Sequence, residues 1–197
     1  MLTGVNQPLA KQVALLEHIL RLNPALYELI TTVAQLKLPN LYVGGGSITQ
    51  SVWNALFHQT PGYGISDVDI VYYDPDLSVA KEAATQEKIA QQLAGNQYTI
   101  DVKNEARVHL WYAQRFGKTI TPYQSTEDAI STWPTTATAL GVYIDENARL
   151  QAFAPYGLND LFMGIVRPNK KLITAAVYQA KAHKWQQKWP DLTVVDW

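Results

Sequence analysis

Two aspartates, Asp67 and Asp69, stand two residues apart in the strand-like run Ile65 to Tyr73, downstream of a glycine cluster, Gly44-Gly45-Gly46-Ser47. Side chains alternate across a strand, so both carboxylates share one face. Asp is depleted in strands, and two carboxylates beside Val68, Ile70 and Val71 repel each other unless a cation or a donor cluster relieves them. The pair can hold one or two divalent cations, and the plainer alternative is a solvated face on an edge strand. Glycines let backbone amides approach phosphate oxygens closely. Ser47 adds a hydroxyl that can also cap a following helix, whose N-terminal end is positive. Alone, the glycine run would read as a tight turn with positive φ. It matches neither G-x-x-x-x-G-K-[ST] nor the full G-x-G-x-x-G, so a Walker loop and a dinucleotide fingerprint are both set aside.

A third carboxylate, Asp101, sits in a similar apolar setting between Ile100 and Val102. Asp67, Asp69 and Asp101 are therefore the candidate metal ligands and catalytic groups, with Mg²⁺ or Mn²⁺ as the cation and Asp101 as a general base. Gly45, Gly46 and Ser47 are the candidate phosphate-binding residues. Lys103, Asn104 and Arg107 follow Asp101 and join the candidate nucleotide-binding set. Arg107 could hold a phosphate as a bidentate donor, or pair with a neighbour such as Glu105. His109 reads as a buried histidine. Gln50 and Trp53 read as packing around the glycine turn, and Asp160 as an acidic group favoured at a helix start.

Around these residues helices and short strands alternate. Leu9, Val13, Leu16 and Leu20 make one helical stripe. Asn23-Pro24 opens a second helix with Leu26, Leu29, Ile30, Val33 and Leu36 on its inner face. Leu41 to Val43 is a strand, and Ile48, Val52 and Leu56 line the helix after the glycines. Ser78 can cap a polar helix running to about Leu93, ended by Gly95-Asn96. Gln97 to Val102 reads as a strand and Asn104 to Phe116 as a helix. Ser125 to Asp128 resembles a capping box, and Leu140 to Ile144 with Leu150 to Phe153 a hairpin. Leu158 to Ile165 and Lys171 to Trp185 are the last expected helices. With no repeat or linker in sight, the expectation is a mixed α/β (α+β) fold: a small mixed sheet flanked by helices, in one domain over 1–197. Within it, 1–40 are N-terminal helices, 41–153 the core and 154–197 C-terminal helices.

Bulk properties narrow the partners. A net charge of -1 and 17% charged residues give no basic surplus for a nucleic-acid backbone, so a small molecule or a protein is the more natural acceptor than bulk nucleic acid. No apolar run has the ~18 residues of a membrane span, and Met1 to Gln7 lack a signal-peptide pattern; the cytoplasm is the expected compartment. The absence of cysteine excludes disulfides, thiolate metal sites and a cysteine nucleophile. His18, His58, His109 and His183 lie too far apart in sequence for a histidine metal motif.

The order Gly46-Ser47, Asp67-Val68-Asp69 and Asp101 resembles the polymerase-β-type nucleotidyltransferase superfamily, with its G-[GS] turn, [DE]-x-[DE] strand and third strand carboxylate. From about Leu41 to Leu192 the chain is more closely similar to a bacterial nucleotidyltransferase-like family of uncharacterised function. The matching segments are Gly46 to Asn54, Asp67 to Asp74, Val102 to His109, Ala154 to Phe162 and Trp189-Pro190. Glu105 and Val108 stand where that family's usual run carries glutamine and methionine. The resemblance implies metal-dependent transfer of a nucleoside monophosphate from an NTP to an acceptor, with release of pyrophosphate. In that reading Gly46 and Ser47 hold the triphosphate, Asp67 and Asp69 the metals, and Asp101 the metal that activates the acceptor. Two other readings remain open: a nucleotide-binding or regulatory module without turnover, and a nucleotide-sugar glycosyltransferase, whose Asp-x-Asp also binds Mn²⁺.

Overall fold

In this computed structural model residues 4–197 are described; Met1-Leu2-Thr3, the first part of the start read above as leader-free, lie outside them. Among the described residues, five strands form one sheet: β1 (Tyr42–Gly44), β2 (Asp67–Tyr72), β3 (Thr99–Asn104), β4 (Gly141–Ile144) and β5 (Leu150–Phe153). Their order across the sheet is β3-β2-β1-β4-β5. Only β2 and β3 run parallel, and the remaining pairs are antiparallel. The sheet is mixed, as expected.

Four helices cover one face of it: α1 (Leu9–Arg21), α2 (Pro24–Ala34), α3 (Gly46–Leu56) and α4 (Val79–Gln92), the last being the crossover that a parallel β2–β3 pair requires. Alternation decides which residues meet them. Val43, Val68, Ile70, Tyr72, Val102, Val142 and Leu150 all point into the main core, beside Leu16, Leu20, Leu29, Ile30 and Ile48 from the helices. Asn23 caps α2 by accepting from the Leu26 amide, with Pro24 at the first helical position, and Ser78 caps α4 by accepting from Lys81. The α1 stripe is rotated from the expected one. Leu9 is 57% exposed, and Gln12 is buried instead, because its amide donates to the Gly4 carbonyl at 2.8 Å and to Asn159 Oδ1 at 3.0 Å.

Three further boundaries differ from expectation. Asn104 ends β3, and a single 3₁₀ turn, Glu105–Arg107, precedes α5 (Val108–Phe116). After α6 (Thr126–Ile130) and the hairpin, α7 runs only from Asn159 to Met163. Gly164 takes φ +65 and stops it, which frees β6 (Ile165–Val166) to pair with β7 (Thr193–Val194). The last helix, α8 (Ala175–Lys188), begins after Lys171 because Thr174 accepts from the Val177 amide.

The carboxyl-terminal segment is fastened to α3. Trp189 is fully buried, stacks edge-on against Trp53 at 5.5 Å between ring centres, and donates from Nε1 to Asn54 Oδ1 at 2.9 Å. Burying two indoles on one helix fixes where α8 lies. No helix among the described residues is long and apolar enough to cross a membrane.

Candidate active site

The face of the sheet turned away from α1 to α4 carries the acidic residues beside a small apolar cluster of Tyr42, Val71 and Ile130, and strand register lines the acids up. Asp69 is the partner of Gly44 on β1 and of Asp101 on β3, while Gly44 is the partner of Gly141 on β4. Neighbouring strands are about 4.8 Å apart, so Gly44, Asp69 and Asp101 form a short row across three strands. Asp67 lies one row along the same face of β2, opposite Thr99, and is exposed; Ser66 Oγ donates to its Oδ1 at 2.7 Å.

The glycine turn meets this row. Gly45 has φ 65 and ψ -132, a conformation essentially restricted to glycine, and its amide donates to the Leu140 carbonyl at 3.0 Å. A Cβ on Gly45 would lie 3.1 Å from Asp69 Oδ2, and one on Gly44 would lie 2.9 Å from the Trp133 ring. Backbone, carboxylate and indole are therefore packed at van der Waals distance. Gly45, and not Ser47, is the residue before α3. Ser47 lies in the first turn, nearly fully buried, and its hydroxyl donates back to the Gly44 carbonyl at 3.3 Å. No side chain caps α3, so its positive end and its first amides are left for a ligand. Beside Gly46, Gln50 Oε1 is buried with no hydrogen-bond partner among the described residues.

Electrostatics mark Asp69 as the strained member of the row. Burial raises its carboxyl to about 6; the Lys103 ammonium opposes that rise, Asp101 and Asp67 add to it, and Lys181 opposes it more weakly. Lys103 stands on the same face of β3 as Asp101 and is ion-paired with it. Among the described residues no three carboxylate or histidine side chains converge closely enough to cage a metal. The donor chemistry nonetheless fits a hard divalent cation. Asp67, Asp69 and Asp101 offer oxygen ligands on one face, and a cation between them would offset both the burial that chiefly raises Asp69 and the smaller repulsion from Asp101 and Asp67.

Two expected nucleotide ligands are not brought to this face. Asn104 falls on the opposite face of β3 from Asp101 and is fully engaged there. Its Oδ1 accepts from the amides of Asp74 at 3.0 Å and Ala106 at 3.2 Å, and its Nδ2 donates to the Asp74 carbonyl at 2.8 Å. Arg107 donates from Nε to Glu82 Oε2 at 2.8 Å and also bonds the Leu77 carbonyl, clamping α4. Neither the free phosphate donor nor the pairing with Glu105 expected for Arg107 forms. His109, expected to be a buried histidine with its hydrogen bonds satisfied, is half-buried, and its Nδ1 is enclosed without a hydrogen-bond partner among the described residues. Asp160 lies in the first turn of α7, where Arg167 pairs with it at 2.9 Å and Thr136 donates to it at 2.6 Å.

Three residues at the site were not singled out as ligands by the sequence. Lys181 arrives on α8 from the far end of the chain. Trp133 covers Gly44 and Gly45 from the loop after α6. Glu105, noticed above only as a departure from glutamine, is 4% exposed, and burial raises its carboxyl to about 8, with Lys103 opposing and Asp69, Asp101 and Glu82 reinforcing. Its unusual chemistry was legible only in the substitution.

A glycine turn opening an uncapped helix against carboxylates on adjacent strands defines a class of proteins that handle nucleotide phosphates. Within that class the chain belongs to the nucleotidyltransferase family, whose sequence profile matches residues 31–194. A solution structure described as a CCA-adding enzyme head domain is similar to it, with a TM-score of 0.76 and 26% identity over 93% of this chain and 96% of that one. A CCA-adding enzyme in complex with ATP is more remote, with a TM-score of 0.48 and 14% identity over 95% of this chain and 40% of that one. No curated protein matches the chain.

Proposed function

We propose that this protein is a metal-dependent nucleotidyltransferase that moves a nucleoside monophosphate from an NTP to an acceptor and releases pyrophosphate. The observation that carries the reading is the row Gly44–Asp69–Asp101, which sets an uncapped helix start beside carboxylates on two adjacent strands. In this reading the Gly46 and Ser47 amides receive the triphosphate, aided by the dipole of α3, and Gly45, whose own amide is held by the Leu140 carbonyl, shapes the turn that presents them. Asp67 and Asp69 would hold the Mg²⁺ or Mn²⁺, and Asp101 would hold the metal that activates the acceptor. Bound there, the cation would neutralise phosphate charge and acidify the acceptor hydroxyl. Asp101 takes the acceptor's proton as its oxygen bonds to the α-phosphorus, and the bond from that phosphorus to the pyrophosphate oxygen breaks. Gln50 turns its Nε2 toward Gly46, where it could donate to a phosphate oxygen. The neutral overall charge supports a small-molecule or protein acceptor over bulk nucleic acid.

The Lys103–Asp101 pair favours a second reading, in which the third carboxylate is held by its neighbour and the protein binds nucleotide without turnover. A product screen by mass spectrometry separates the two. Purified protein with Mg²⁺ or Mn²⁺, all four NTPs and cell extract should yield a nucleotidylated product and pyrophosphate. The Asp67→Ala, Asp69→Ala double variant should lose that activity by roughly a thousand-fold or more, since several kcal/mol of charge stabilisation is removed and each 1.36 kcal/mol is tenfold. Nucleotide binding with no product across the extract would establish the second reading, and sugar transfer without nucleotidyl transfer would overturn both.

A further inference from the structure

Charge is spread unevenly along this nearly neutral chain. Residues 106–126 and 161–190 hold nine of its sixteen Lys and Arg and none of its seventeen Asp and Glu, so the net charge hides a basic region. The first stretch contains α5 and the loop after it, and the second contains α8. Folding brings the two together around a cavity of about 350 Å³ beside the carboxylate row.

Helical spacing arranges the walls. On α5, Val108, Trp111, Tyr112 and Arg115 fall on one face, and the first three line the cavity. On α8, Val177, Lys181 and Lys184 recur at i, i+4 and i+7, a stripe that starts at the cavity wall, while Tyr178 and Ala182 bury the neighbouring face. Lys118, in the loop after α5, lines the cavity as well. Apolar rings floor this lane and cations rim it.

These cations are not neutralised within the chain. Arg115, Lys118, Lys181 and Lys184 are exposed, and none has a carboxylate within ion-pair distance among the described residues. Arg115 lies instead over the Trp111 and Phe116 rings, at 6.0 and 5.5 Å, and Lys181 over Trp185 at 6.0 Å. A ring face steadies a cation without cancelling its charge. Glu105, the one carboxyl at the wall among the described residues, is raised by burial to about 8 and adds little negative charge at neutral pH.

We propose that this lane docks an acidic segment of a protein partner, its carboxylates along Arg115, Lys118, Lys181 and Lys184 and one apolar or aromatic side chain anchored in the cavity. Charge complementarity selects the acid, and the ring-lined cavity selects the anchor. The surroundings of the lane favour a protein over a nucleic acid: the rest of the chain carries seven Lys and Arg against all seventeen Asp and Glu. A phosphate backbone running past the lane is repelled there, whereas a short acidic stretch ends with it. The lane starts where Lys181 acts on Asp69, so a docked segment is placed to present a hydroxyl to the carboxylate row. That last step rests on the transfer reading; the docking does not.

The test uses the intact chain without nucleotide or metal and the synthetic peptide acetyl-Glu-Glu-Ser-Glu-Phe-Glu-Glu-amide, followed by backbone amide NMR signals. The peptide should shift signals of α5, the loop after it and α8, and leave those of α1 and α2 in place. Its counterpart with Gln for every Glu should bind at least about tenfold more weakly. The Arg115→Glu, Lys118→Glu, Lys184→Glu variant should lose about tenfold or more in peptide affinity, with the buried Trp53 indole signal unmoved as the report on folding. It should also bind the peptide carrying Lys for Glu more tightly than wild type does. Lys11→Glu, Lys37→Glu, Lys88→Glu makes the same change in net charge at exposed positions elsewhere and should lose less than about threefold. Equal losses in the two variants, or no shift on α5 and α8, overturn the docking surface. Tighter binding of an oligothymidylate of equal charge than of the peptide overturns the protein assignment. Peptide binding in a protein that yields no nucleotidylated product supports the docking and counts against the transfer reading alone. Transfer to an extract acceptor with no peptide response removes the docking and leaves the reaction standing.

Discussion

The two faces of the central sheet are built from the same strands and obey opposite rules. On one, Val43, Val68, Ile70, Tyr72, Val102 and Val142 are buried against α1 to α4. On the other, Val71 and Tyr42 still pack against Ile130 of α6, but beside them Asp67, Asp69, Asp101 and Lys103 bring a raised carboxyl and an ion pair, and Gly44 stands where an apolar side chain would. The first face supplies stability through close packing. The second gives some of it up, holding like charges close together and a carboxyl raised by burial. Functional groups collect where local rules are broken and the remaining fold compensates.

Substitutions should separate the faces cleanly, beginning with the core. Ile70→Ala, removing a fully buried side chain, should lower the unfolding free energy by about 2–5 kcal/mol in urea denaturation and affect nucleotide binding only through the folded fraction. A change smaller than about 1 kcal/mol would mean the packed face is not what holds the sheet.

Glu105 provides the next largest effect, with the opposite sign. Its carboxyl is held near 8 when folded, against an ordinary 4.5. Between those values the folded state binds more protons than the unfolded one, so stability falls as pH rises and levels off above about 8. Glu105→Gln should remove that slope. At pH 9 it should be more stable than wild type by on the order of 3 kcal/mol, and by little at pH 4, when compared by chemical denaturation without metal. Parallel pH profiles for the two proteins would show that Glu105 is not strained.

Asp69→Asn should behave similarly on a smaller scale and in a lower window. The wild-type cost grows between 3.8 and about 6. At neutral pH the amide should therefore stabilise the metal-free protein by about 2 kcal/mol while abolishing transfer. Loss of stability together with activity would place Asp69 on the structural side of the comparison. The smallest effect expected is that of Lys103→Met. Lys103 lowers both Asp69 and Glu105, so its removal should move both carboxyl titrations further up, as read from their carbonyl carbon signals. Unmoved midpoints would show that Lys103 is screened from both.

Much of the site was legible because a strand has a period of two. Alternation alone puts Asp67 and Asp69 on one face, and the same rule puts Asp101 and Lys103 on one face of β3. It would also have excluded Asn104, which falls in step with Ile100 and Val102 on the packed side. The error there came from extending the following helix back over the end of the strand. Arg107 was less accessible: its partner Glu82 lies on α4, and nothing local indicates that an arginine after a strand will fold back on the preceding crossover helix. Leu9 misled because a helical stripe was drawn through the first turn, where Gln12 is instead drawn inward by Gly4 and Asn159.

The sequence by itself determined the alternation of helices and strands, the glycine turn, the face each aspartate occupies and the family. These follow from local backbone geometry and from spacing along the chain. Only the tertiary structure decided that Gly44, Asp69 and Asp101 share one row, that Trp133 closes over the glycines, and that α8 brings Lys181 to Asp69. It also decided that Glu105 is buried at a cavity wall. Register and burial depend on which distant segments pack together, and that is a property of the whole chain's free energy, not of any short stretch of it.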